Sequence, residues 1–213
     1  MIPSGLQRRR HQYRAHGAHH TRRSALQGLL RALEAIEPET MNHSSRVRRF
    51  SLLLAETLGL DDRQLRQLSV AANFHDIGKI QVPSTILNKP EKLTDDEFRL
   101  VKEHPEHGVR ILTPLIDDPA ILNAVRTHHE RVDGTGYPNG LKGYQIPLFA
   151  RVIAIADSFD AMTSWRPYRE AMNQPEALDE IRREAGTQFD PLLVEAFLEA
   201  VARNNAQETL ALR

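Results

Sequence analysis

Residues 128–138 read His128-His129-Glu130-Arg131-Val132-Asp133-Gly134-Thr135-Gly136-Tyr137-Pro138, with a His75-Asp76 pair upstream and Asp157 downstream. Imidazoles and carboxylates gathered around a glycine-rich turn make a metal site the first hypothesis. The chain has no cysteine, which excludes thiolate ligation, disulfides and zinc-finger chemistry. Nitrogen and oxygen ligands remain, a set that suits iron, manganese, nickel or zinc.

Outward from that run the pattern is helical. Asp118-Pro119 supplies a cap and a first-turn proline for a helix ending at His128, and Thr94 with Glu97 forms a capping box for a helix running toward His104. Both would deliver a histidine at their far end. Asp61 or Asp62 caps a helix that carries Leu65, Leu68, Val70 and Ala71 and ends near His75-Asp76. Before it, Leu26, Leu29, Leu30, Leu33 and Ile36, and then Val47, Phe50, Leu54 and Leu58, recur at three- and four-residue spacing, with Gly59 as a stop. Pro147 precedes an apolar helix through Val152, Ile153, Ile155, Phe159 and Met162. Asp190-Pro191 opens the last helix, with Leu193, Val194, Phe197 and Val201. Arg151 to Ile155 is compatible with a strand, but its continuation into a longer amphipathic stretch favours helix. The expected fold is all-α: a helical bundle with ligands projecting inward to a metal centre in its core, and a C-terminal helical extension.

At 213 residues and 40% hydrophobic side chains, the chain fits one domain with tails, and it has no apolar run near the ~20 residues that cross a bilayer. Residues 1–23 carry six arginines, four histidines and no acid, unlike a secretory signal, so the chain reads as cytoplasmic. Residues 1–22 are expected to be a disordered basic tail, 23–205 the domain and 206–213 a C-terminal tail. Without those six arginines, the 22 remaining basic residues face 28 acids, which gives no support for binding a nucleic-acid polymer.

Singly, each candidate ligand has a bland reading. His43 could be a half-buried helix histidine bonded to a carbonyl, Glu39 one turn earlier could form a helix-face salt bridge with it, and His104 could be a surface cap. Their combination argues otherwise. His128 and His129 cannot point the same way from regular helix, but at a helix end the second can turn into the same cavity. Asp157 and Asp160 lie three apart in an apolar helix, where uncompensated carboxylates are costly to bury. A metal at Asp157 and Lys79 or Arg166 at Asp160 would offset that cost.

In order along the chain stand Glu39-Thr40-Met41-Asn42-His43-Ser44, His75-Asp76-Ile77-Gly78-Lys79, Leu93-Thr94, His104-Pro105 and Gly108, then the 128–138 run. Ile146-Pro147, Ala156-Asp157, Asp160-Ala161, Arg166-Pro167-Tyr168-Arg169 and Gly186-Thr187-Gln188-Phe189-Asp190-Pro191 follow. Over roughly residues 25–205 this order resembles the HD-GYP branch of the HD phosphohydrolase superfamily, whose known members are bacterial cyclic di-GMP phosphodiesterases. The resemblance implies His43, His75, Asp76, His104, His128, His129 and Asp157 as metal ligands, with Asp76 bridging two ions and Glu39 standing where some members hold a third. Two or three divalent ions follow, iron or manganese first, nickel or zinc as alternatives. Lys79 would orient phosphate and stabilise charge, and Asp160 would hydrogen-bond the nucleophile or Lys79. Arg166 and Arg169 would contact guanine or phosphate, surface salt bridging being the plainer reading. Gly134 and Gly136 would permit a tight loop, a shaped lip with Tyr137 at its tip for stacking or partner contact.

His107 stands outside the pattern and is expected at the surface or behind the ligands. Trp165, Asn73-Phe74 and Thr135 depart from the family's usual residues without removing a ligand, and Trp165 puts substrate affinity in question. The implied activity is metal-dependent hydrolysis of cyclic di-GMP to linear pGpG and GMP. The alternatives are an HD phosphohydrolase acting on another cyclic dinucleotide or nucleotide, and a catalytically silent module binding diguanylate cyclases or adaptors through the Gly-Tyr-Pro loop. No membrane association is expected, and the sequence is compatible with a homodimer without fixing the oligomeric state.

Overall fold

Several helix starts fall where capping residues stand. The computed structural model describes residues 21–22, 24–35, 39–164 and 170–211, the side chains of 39–41 and 208–211 excepted. Within them run α1 (24–35), α2 (Glu39–Thr57), α3 (Asp62–Phe74), α4 (Ser84–Leu87) and α5 (Asp95–Val101). After these come α6 (His104–Leu112), α7 (Pro119–Thr127), α8 (Leu148–Thr163), α9 (Gln174–Arg183) and α10 (Pro191–Ala211). Asp61 accepts from Gln64 N at 2.8 Å while the Gln64 side chain returns to Asp61 N, opening α3. Thr94 and Glu97 do the same for α5, and Asp118 accepts from Ala120 N ahead of Pro119 in α7. Among the described residues there is no strand, only a lone bridge between Ala185 and Phe189. The all-α expectation holds.

Two boundaries and one helix differ from expectation. The helix opened by Thr94 stops at Val101, and His104 begins α6 instead of ending the helix before it. Pro105 explains the break: without an N–H, and with its ring against the preceding turn, proline fits a first turn and not a helix interior. Helix α9 was not anticipated, although Asn173 and Glu176 form a capping box with Pro175 between them. The boundary expected at residue 205 falls inside α10, and the expected basic tail lies outside the described residues up to residue 20.

The core gathers around α8, whose Val152, Ile153, Ile155 and Phe159 are buried. Phe159 meets Phe50 of α2 and Phe197 of α10 edge-on, with centroids 4.9 and 5.2 Å apart. Such pairs add about 0.5–1.5 kcal/mol to area burial. With α8 clamped on α2, Asp157 and Asp160 face His43. A 3₁₀ turn, Ile77–Gln81, lies directly on α6: a Cβ on Gly78 would stand 1.8 Å from His104 O and 2.5 Å from Gly108 N. Only glycine allows that approach, and it brings His75-Asp76 against His104. A nearly buried ion pair between Arg151 and Asp190 ties α8 to the start of α10.

Candidate metal centre

Three histidines are held in the same way. Nδ1 of His75, His104 and His128 donates to the carbonyl three residues earlier, Ala72, Val101 and Val125, each at 2.8 Å. A carbonyl only accepts, so Nδ1 carries the proton and Nε2 of the neutral ring is left with its lone pair. These Nε2 atoms converge on Asp76. Its Oδ1 lies 3.2 Å from His104 Nε2 and 4.0 Å from His128 Nε2. Its Oδ2 lies 3.4 Å from His75 Nε2, 3.7 Å from His43 Nε2 and 2.8 Å from Lys79 Nζ. His104 Nε2 and His128 Nε2 face each other at 3.3 Å, and buried His75 Nε2 has no hydrogen-bond partner. Lone pairs aimed at one another beside a carboxylate are the donor chemistry of a cation site.

The donors fall into two groups, Asp76-His104-His128-His129 and His43-His75-Asp157, with ligand atoms in each within 4.8 Å of one another. All seven donors that the resemblance named and whose side chains are described therefore come together, and they can hold divalent metal. The Glu39 side chain, Arg166, Arg169 and Trp165 lie outside the described residues. His107 belongs to neither group and pairs with Glu103 at 3.5 Å.

Asp160 corrects one expectation. Both its oxygens are engaged by α2: His43 Nδ1 donates to Oδ2 at 2.8 Å, and Arg46 Nε and Nη2 donate at 2.5 and 3.1 Å. Lys79 pairs with Asp76 instead. Asp160 thus orients the His43 ring and does not bond Lys79. The compensating cation is Arg46, three residues beyond His43 on the same helix face, which belongs to none of the sequence motifs.

Protonation splits the cluster. Burial alone would lower His43, but its hydrogen bonds to the Asp157 and Asp160 carboxylates push it up to about 9. Burial would raise Asp157 and Asp76, yet the His43 hydrogen bond and the Lys79 charge respectively hold them well below the usual carboxylate range. On the other side burial dominates, reinforced by neighbouring imidazoles. It holds His128 well below its ordinary value and His129 down to about 3.

The loop after His129 folds inward. A Cβ on Gly136 would sit 2.4 Å from Arg131 N and 2.6 Å from His129 O, so the chain can close over this backbone only through glycine. Tyr137 then stacks on His129, with centroids 4.8 Å apart and planes 28° apart. It is not a tip offered outward: its half-buried ring lies against His129, and burial raises its hydroxyl well above the usual range. Buried Glu130 accepts from Asn139 N at 2.7 Å and Leu141 N at 3.0 Å, and Arg131 reaches Gln188 at 2.6 Å and Glu184 at 3.3 Å. The 186–191 motif therefore braces the lip. A cleft of about 290 Å³ opens beside it, bordered by His129, Asp157, Tyr137, Phe98 and Lys102.

Comparison with known families matches residues 29–193 to the HD domain. The chain belongs to the HD-domain family. Among curated HD-domain relatives, a cyclic di-GMP phosphodiesterase response regulator of Xanthomonas campestris is 43% identical over 185 residues, 85% of this chain and 48% of that protein. A 3'3'-cGAMP-specific phosphodiesterase of Vibrio cholerae is 36% identical over 183 residues, 84% of this chain and 35% of that one. The chain thus spans half or less of the length of these relatives. A solved cyclic GMP-AMP specific phosphodiesterase of V. cholerae shares the fold, with a TM-score of 0.64 at 22% identity over 82% of this chain and 47% of that one. No helix among the described residues is long and apolar enough to cross a membrane.

Proposed function

We propose that this HD domain is a cytoplasmic metal-dependent phosphodiesterase that opens cyclic di-GMP to linear pGpG and carries some of it on to GMP. The observation that carries this reading is Asp76, one oxygen turned to each donor group, which is the arrangement a bridging ligand of two neighbouring cations requires. His43, His75 and Asp157 would hold one ion, His104, His128 and His129 the other, with Glu39 available for a third. Iron or manganese fits best a set of nitrogen and oxygen donors lacking sulfur. When bound, such ions neutralise a phosphodiester and supply a nucleophilic oxygen at neutral pH.

The chain's own groups do the rest. Lys79 Nζ, tethered at 2.8 Å to Asp76 and partly open to solvent, is placed to take a non-bridging phosphate oxygen and to stabilise charge gained in the transition state. Asp160 fixes the His43 ring from behind. Tyr137 covers His129 and shields that side of the cleft from water. Arg166 and Arg169 are proposed as guanine or phosphate contacts, with Tyr137 beside them on the substrate. Docking of diguanylate cyclases or adaptors would fall to the exposed residues of the loop, Thr135, Pro138 and Asn139, because Tyr137 is turned in. A homodimer would leave this chemistry unchanged.

Supporting the reading is the 43% identical cyclic di-GMP phosphodiesterase. The 36% identical cGAMP enzyme favours a second substrate, the mixed cyclic dinucleotide. The test is chromatography of cyclic di-GMP and 3'3'-cGAMP incubated with protein loaded with Fe(II) or Mn(II). Linear pGpG should appear, faster than any product of cGAMP, and chelation should abolish it. Intact cyclic di-GMP after incubation with the loaded protein would overturn the reading.

A further inference from the structure

The cleft has a wall that the groups above leave unused. Phe98 and Lys102 stand four residues apart at the end of α5, on one face, and both border the cleft with His129, Tyr137 and Asp157. Phe98 leaves 44% of its surface open. Lys102 Nζ lies 4.6 Å from the Phe98 ring centroid and 5.4 Å from that of Tyr137. Among the described residues no carboxylate pairs with this ammonium: Glu103 and Glu106 are engaged by His107 at 3.5 Å and Arg126 at 3.0 Å. An open aromatic plane beside a flexible, unneutralised cation, at the edge of a cleft reaching the metal ligands, has the chemistry that holds nucleobases.

We infer that Phe98 and Lys102 hold a purine base of the substrate and favour guanine over adenine. The inference rests on the phosphodiesterase reading: the cations and Lys79 take the phosphate, so the base of the same nucleotide extends toward the rim. Phe98 supplies the stacking surface. Lys102 has three donors and no acceptor. Guanine offers it two adjacent acceptors, O6 and N7, whereas adenine sets an amino donor beside its N7. The ammonium bonds both guanine positions and meets a repelling donor on adenine.

The test uses the metal-loaded full chain and its Lys102→Met and Phe98→Leu variants, titrated with GMP and AMP and assayed on cyclic di-GMP and cyclic di-AMP. The unaltered protein should bind GMP about ten-fold tighter than AMP. Lys102→Met should erase that preference, while Phe98→Leu weakens both by about ten-fold and leaves their ratio alone. In turnover the loss should fall on KM, with kcat and metal content retained. Equal affinity for GMP and AMP in the unaltered protein, or an intact preference in Lys102→Met, overturns the inference. If cyclic di-GMP stays intact while the Lys102-dependent GMP preference holds, the base site stands and it is the assigned reaction that fails.

Discussion

His128 and His43 sit in one buried cluster, yet their surroundings move their protons in opposite directions. His128, at the end of α7, is packed among His75, His104 and His129. Burial and imidazole neighbours keep it and His129 neutral, so their nitrogens are ready to ligate. His43, inside α2, is flanked by Asp157 at 3.2 Å and Asp160 at 2.8 Å, and with a pKa of about 9 it holds its proton at neutral pH. His128 and His129 present lone pairs, whereas His43 carries a positive charge of its own. Histidines at helix ends, tied through Nδ1 to a carbonyl, turn Nε2 into the cluster. A histidine within a helix and flanked by carboxylates must release a proton when metal binds.

Asp76 is the residue common to both halves, and removing it is the largest break. In Asp76→Ala, elemental analysis should show the metal content falling from about two ions per chain toward none, with cyclic di-GMP turnover down by about 10³-fold or more. His43→Ala touches one half only and should keep about one ion. Equal loss of metal in the two variants would mean that the halves do not bind separately.

Arg46 sharpens the contrast from farther out. Arg46→Met removes two hydrogen bonds from Asp160 and loosens the His43 ring, so competition with a chelator should show affinity down about 10–100-fold in the His43 half alone. Arg46→Lys should restore part of it. An equal change at both ions, or none, would reduce Arg46 to a surface pairing.

Arg46 also marks where reading the sequence stops. Local chemistry was legible: Asp118 and Pro119 start α7, which ends where His128 must stand, and the ordered motifs collected the donor set across the chain. The break at His104 is legible too, because Pro105 fits a first turn and not the interior of a continuous helix. Arg46 and Asp160 are 114 residues apart, and charge compensation between two helices leaves no periodic trace in either. The inward turn of Tyr137 depends on Gly136 closing onto the backbone of residues 129–131, a tertiary approach that the glycine permits without announcing its direction. The unequal protonation of the two halves was equally hidden, because it arises from which side chains face each ring.

The smallest expected effect is on the stability of the metal-free protein, where the same asymmetry appears with opposite signs. In the unfolded chain histidine titrates near 6.5. His43 lies above this when folded, at about 9, so its stabilisation is complete below pH 6.5 and is lost as pH rises toward 9. His128 and His129 lie below it, the latter at about 3, so the unfolded state takes up protons that the folded state refuses, and stability falls as pH drops under 6.5. Between pH 5 and 9, above the range where Asp76 and Asp157 contribute, the melting temperature should pass through a maximum near neutrality, each limb spanning about 5 °C. His43→Asn should flatten the alkaline limb and His129→Asn the acid one. A curve that runs in one direction across this range, or a variant that flattens both limbs together, would mean that the two halves share a single electrostatic environment after all.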